Sequence, residues 1–176
     1  MADPTKVVVR ADRIAASYNG NLESVRHATD ELMQGSIVTL GALVTDEREV
    51  KLAVQPATAT LGTLEHLMVL APEVLYEVGK SLQDFTTEAL TAVRAYHLSV
   101  GDIVTISKTY GASTATITGS PALNGYAHPQ NGSYLLAAAA AITDVSGSRL
   151  AFRIIEEDVL GPNGVYEAWV LQVVKS

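Results

Sequence analysis

The chain of 176 residues carries a net charge of −7, has no cysteine, and is 48% hydrophobic but only 18% charged. The missing cysteines exclude disulfides, thiolate nucleophiles and cysteine-based zinc sites, and an acidic balance without clustered Lys and Arg argues against binding a phosphate backbone or an anionic membrane surface. Ordinary soluble domains are roughly a quarter charged, so this composition points to surface covered by another protein, a homo-oligomer or docked subunit, as readily as to a tightly packed monomer rich in Ala and Val.

The first element is predicted at residues 5–10, TKVVVR, where three consecutive β-branched valines favour a strand. Lys6, Val8 and Arg10 would share one face and Val7 and Val9 the other. Residues 16–21, ASYNGN, supply a turn around Asn19-Gly20. Residues 21–33 fit both a partial helical stripe (Leu22, Val25, Thr29, Leu32) and a strand alternation, and a short strand followed by a loop is favoured. Residues 36–44, SIVTLGALV, are apolar on both faces, as in a buried strand. A polar turn at 45–48 joins them to 49–54, EVKLAV, in a hairpin with Val50, Leu52 and Val54 pointing one way. A loop at 55–63 precedes a strand at 64–71, which Pro72 ends by removing a ladder donor.

Residues 73–90 read as loop with a short helical turn, interrupted by Gly79. Alternation at 91–98, a Gly101-Asp102 turn and a strand at 103–106 follow. Residues 108–134, rich in Thr, Ser, Gly, Asn and Pro, read as mostly loop, with short strands at 114–118. At 134–142, YLLAAAAAI, alanine favours helix, but the run is shorter than a marginal isolated helix, and a strand is preferred. The strongest β signal is C-terminal: 148–157 and 164–174 form a hairpin across the GPNG turn at 161–164, with Leu150, Phe152 and Ile154 on one face. The expected fold is mainly β, a small barrel or sandwich-like domain with long loops and little helix.

No catalytic constellation emerges. Gly79-Lys80-Ser81 ends like a phosphate-binding loop, but Val74 stands where the motif needs its first glycine. His27, His66, His97 and His128 have no paired metal-ligand spacing, with His97 expected on a barrel strand and His128 in a loop. No serine lies in Gly-x-Ser-x-Gly. Glu156-Glu157-Asp158 could meet a hard cation, though such runs are usually solvated. Glu73, Asp84 and Glu88 are the candidate carboxylates of a hydrolase, the alternative function, and the loop 108–134 is the candidate site of a small-ligand or carbohydrate-binding domain. Tyr18, Tyr110, Tyr126 and Tyr134 fall in or beside loops without interleaved Lys or Arg, as interface anchors do rather than base platforms. No metal or cofactor is expected. The start MADPTK lacks the apolar core of a signal peptide, and the longest apolar run, Leu135 to Ile142, is too short to span a bilayer.

The order of APEVLYE, DFTTEA, LSVGDIVTIS and FRIIEE along nearly the whole chain resembles the head decoration or capsid cement proteins of tailed phages, with Leu90 standing where that pattern would carry a small residue. The resemblance implies a non-enzymatic structural protein of the virion, assembled in the host cytoplasm, that binds the capsid exterior and bridges major capsid protein subunits. It also implies a homo-oligomer, with a trimer as the expected form, and no nucleic acid or membrane partner. An extended arm over 1–20 and a single β-rich domain over 21–176 complete this expectation. In the arm Lys6, Arg10 and Arg13 outnumber Asp3 and Asp12, so Lys6, Val8, Arg10, Arg13 and Tyr18 are the candidate partner-binding residues. The alternative is that 5–10 is the first strand of the domain's own barrel.

Overall fold

The computed structural model describes residue 4 and residues 6–70, 84–161 and 164–176. In chain order the strands are β1 (Val9–Arg13), β2 (Leu22–Arg26), β3 (Leu32–Met33), β4 (Ile37–Leu43), β5 (Val50–Val54), β6 (Leu67–Val69), β7 (Thr86–Thr87) and β8 (Val93–His97). There follow β9 (Ile103–Ser107), β10 (Thr109–Tyr110), β11 (Thr114–Ala115), β12 (Ile117–Thr118), β13 (Tyr126–Pro129), β14 (Leu136–Ala139), β15 (Ala151–Leu160) and β16 (Tyr166–Lys175). One helical turn, α1 (Ala16–Asn19), and a 3-10 turn at Ile142–Val145 interrupt them. The fold is therefore mainly β, as expected.

Five strands close a barrel in the order β2-β5-β4-β6-β8, and seven form a sheet in the order β1-β9-β16-β15-β13-β14-β12. The barrel closes through a parallel pair, Ser24 to Arg26 beside Val50 to Leu52, while its other ladders are antiparallel. Barrel and sheet share a core. Val38, Leu67 and Val69 fill the barrel with Val25, Ala53 and Val93. Their strand neighbours Ile37 and Met68 point the other way and pack with Val104, Phe152, Ile154 and Leu171 of the sheet. This explains why 36–44 is apolar on both faces: β4 separates two apolar compartments, so strand alternation buries both sets of side chains.

Gly35 sits at this junction. Its N–H donates to the Val69 carbonyl at 2.8 Å, its φ is +76°, and a Cβ there would lie 3.0 Å from both Ile106 Cδ1 and Val9 Cγ2. The positive φ costs an L-residue about 1–2 kcal/mol, and overpacking adds to it. Gly35→Ala is expected to destabilise the protein by about 2–3 kcal/mol, read as a lower urea midpoint at unchanged slope. An unchanged midpoint would show that the junction yields freely.

Several local expectations are corrected. The first strand begins at Val9, and Val7 and Val8 are both buried, at 1% and 8% exposure. Val8 does not share an open face with Lys6 and Arg10, because it packs on Leu160 and Ala168 in a small second cluster. The described part of 1–20 is not a free arm: β1 pairs antiparallel with β9, Val9 opposite Ile106 and Arg10 opposite Thr105. In β5 the inward residue is Ala53, and Val54 is exposed. The stretch 108–134 contains β10 to β13, so His128 lies on a strand rather than in a loop. Pro129 is tolerated at the end of β13 because β15 pairs there only with Tyr126 and Ala127, leaving no second ladder for proline to break. The alanine run supplies β14 and then the 3-10 turn. Leu90 has a φ of +65°, a conformation suited to a small residue. Pro72, Glu73 and the Gly79-Lys80-Ser81 triplet lie outside the described residues.

Candidate functional site

The candidate surface is the N-terminal edge of the seven-stranded sheet. β1 pairs on one side only, and its register shifts between Arg10 and Arg13. A bulge with charged neighbours is how natural sheets blunt an edge against further pairing. The edge therefore presents side chains more readily than backbone.

Two of the predicted basic residues are already engaged. Lys6 forms an ion pair with Glu31. Arg10 crosses the sheet to Asp158 at 2.8 Å, also reaching Thr105 Oγ1 at 3.3 Å and Asp12 at 3.6 Å. The Asp158 carboxyl is held below its ordinary range, first by the Val159 N–H, which donates to it against an opposing desolvation, and then by the Arg10 guanidinium. These two cations stitch the segment to its own domain. Arg13 is exposed and makes no ion pair among the described residues.

Tyr18 lies one turn further on, 83% exposed. Its hydroxyl donates to the Asp12 carbonyl at 3.0 Å, which fixes the ring direction. Beneath it, Ile14 and Ala16 are buried and anchor the turn. Asp102 joins this turn to the β8–β9 connection. Its carboxylate is 6% exposed and accepts the Ala15 N–H at 2.9 Å and the Ser99 N–H at 2.8 Å. Val100, 66% exposed, stands on the connection so held. Sequence reading assigned Gly101-Asp102 to a turn; it missed Val100 and the clamp because the Ala15 partner is 87 residues away. Three exposed side chains result: the Arg13 cation at the end of β1, and Tyr18 and Val100 on turns that Asp102 ties together.

The remaining chemistry-bearing residues are dispersed. Glu157 pairs with Lys108 at 2.9 Å, whose ammonium stands 4.1 Å over the Trp169 ring, so with Asp158 also paired the acidic run is no cation cage. Among the described residues no group of three His, Asp or Glu gathers as a metal site, and no helix is long and apolar enough to cross a membrane. His97 lies on barrel strand β8 and bonds Glu65 at 2.7 Å. His27 Nδ1 accepts the N–H groups of Thr29 and Asp30, so its neutral form carries the proton on Nε2. A shallow cleft of about 340 Å³ opens between this turn and Leu52, Val54 and Gln55. Nearby, Tyr134 packs edge-on to His27. Burial, and then the Asp30 charge, push its phenol up to about 12, and its hydroxyl has no partner.

Comparison with protein-family models, with curated proteins and with solved structures finds no match, so the functional reading rests on these residues.

Proposed function

We propose that this protein is a structural virion component that binds the outer surface of a phage capsid and bridges major capsid protein subunits, acting as a homo-oligomer, in trimers by the sequence resemblance. The observation that carries the reading is the exposed Tyr18, on a turn that Asp102 ties to the connection bearing exposed Val100, with exposed Arg13 preceding it in the chain. An aromatic ring 83% exposed, yet fixed by a hydrogen bond and a buried turn, loses little freedom when a partner covers it. Tyr and Arg are also the residue types that dominate interface energies. The apolar composition supports the same reading. The test is co-sedimentation of the purified protein with empty shells. Tyr18→Ala with Arg13→Glu is expected to weaken binding by about 10-fold or more while the melting temperature stays within a few degrees. If the native protein never sediments with shells, or the double variant binds as tightly, the proposal fails.

A second reading, a small-ligand-binding domain, draws on the cleft beside His27 and on the orphaned Tyr134 hydroxyl. Of the 108–134 stretch the sequence suggested, this location takes in only Tyr134; the cleft itself is lined by residues of 27–30 and 52–55. The cleft is at the small end of ligand sites, so this reading ranks second.

A further inference from the structure

The connection between β5 and β6 bridges the barrel to the far side of the sheet. Residues 57–64 form hydrogen-bonded turns, with the Leu61 and Leu64 N–H groups donating to the Ala57 and Thr60 carbonyls. The Arg149 N–H donates to the Leu61 carbonyl at 2.6 Å, and its guanidinium to the Thr63 carbonyl at 3.4 Å. At the other end the Thr58 N–H donates to Asn131 Oδ1 at 2.9 Å. Gly62 lies so near the Gly147 carbonyl that a Cβ would stand 2.8 Å from that oxygen. The segment is a strap pressed onto the turn before β15.

His66 lies at the end of this strap. It is 2% exposed, and neither Nδ1 nor Nε2 has a hydrogen-bond partner. A neutral imidazole always carries one N–H, and with only a weak pull from the Leu64 carbonyl its burial costs desolvation with little return. A protonated ring would carry two N–H groups and a charge into the same place, beside the Arg149 guanidinium. We propose that the 57–64 strap is an acid-released clamp between barrel and sheet, and that protonation of His66 is its trigger.

The charged groups around His66 among the described residues favour this direction. Arg149, from the turn before β15, opposes a second positive charge. Glu65 is the one anion that favours it, and Glu65 is engaged by His97 of β8. Lys175 of β16 bonds the Ser146 carbonyl in the turn on which the strap rests. Burial first, then Arg149, hold the imidazole below its ordinary 6.5, against weaker opposite pulls from the Leu64 carbonyl and Glu65. The sign follows. The closed clamp prefers neutral His66, and the opened one lets the ring reach water and its ordinary value. Closure is therefore complete above about pH 6.5 and is lost as pH falls below it, by about tenfold per pH unit, until the closed form itself takes up the proton.

Hydrogen exchange corrected for intrinsic rates tests this between pH 7.5 and 5.5, where carboxylates stay ionised. Protection of the Leu61, Leu64 and Arg149 amides is expected to fall progressively from pH 7.5 to 5.5, by up to about tenfold, while the β16 amides stay unchanged. His66→Gln should flatten the response, and His97→Gln should preserve it. Should His66→Gln fail to fold, an NMR titration of the native His66 ring decides: a midpoint below 6.5 supports the clamp. A ring titrating at or above 6.5, strap protection independent of pH, or a fall that survives in His66→Gln would overturn it.

Discussion

Deleting residues 2–13 is expected to lower the melting temperature by about 10–20 °C rather than to release an otherwise intact domain. Val7 and Val8 are 1% and 8% exposed, and burying a valine is worth about 1.5–3 kcal/mol. Their loss alone removes about 3–6 kcal/mol, and each kcal/mol moves the midpoint of a chain this size by about 2–4 °C. The deletion also strips β9 of its outer partner and exposes buried Thr105 and Ser107. Val8 exchanges hydrogen bonds with Ser107, its N–H donating to Oγ at 3.2 Å and its carbonyl accepting the Ser107 N–H at 2.9 Å. The measurement is a thermal melt followed by near-ultraviolet circular dichroism. A truncated protein melting within about 3 °C of the native one would show that the segment is a dispensable arm after all.

That prediction separates partner binding from folding within one segment. Lys6, Val8 and Arg10 serve the domain through Glu31, Leu160 and Asp158. Arg13 and Tyr18 face outward. Shell-binding tests should therefore use point changes at the latter pair, since a deletion would confuse lost binding with lost structure.

The strands legible in the sequence are those whose own side chains carry the signal. β4 reads as buried because it lies between two cores, and β15 and β16 read as a hairpin because their alternation flanks a Gly- and Pro-rich turn. β13 was not legible: Tyr126 to Pro129 has little strand character, and its conformation follows from its pairing with β14 and β15. Barrel closure was equally hidden, because β2 and β5 pair in parallel across the intervening β3 and β4. At the candidate site, Tyr18 was legible as an aromatic beside a turn. The engagement of Arg10 was not, because Asp158 lies 148 residues away. Charge counting along a segment cannot distinguish a cation offered to a partner from one spent on the chain's own sheet.

Replacing Asp102 with alanine is expected to cost about 1–3 kcal/mol, since a buried N–H left without a partner costs about 1–3 kcal/mol and the two N–H groups it serves are only partly buried. Two N–H groups depend on it, those of Ala15 and Ser99, and the carboxylate that receives them is itself only 6% exposed. Its backbone is separately fixed, the carbonyl accepting the Val173 N–H at 2.8 Å and the N–H donating to the Ser99 carbonyl at 3.0 Å. The turn itself should therefore persist while the link to α1 breaks. Asp102→Asn distinguishes this clamp from simple packing, because it keeps the shape but sets an amide N–H₂ against one of the two donors. It should recover less than half of the alanine loss in urea denaturation. Both variants should also raise hydrogen exchange at Ala15 and Tyr18 more than at β16. If asparagine restores native stability, or if α1 stays protected in the alanine variant, Asp102 is not what holds the Tyr18 turn against the sheet.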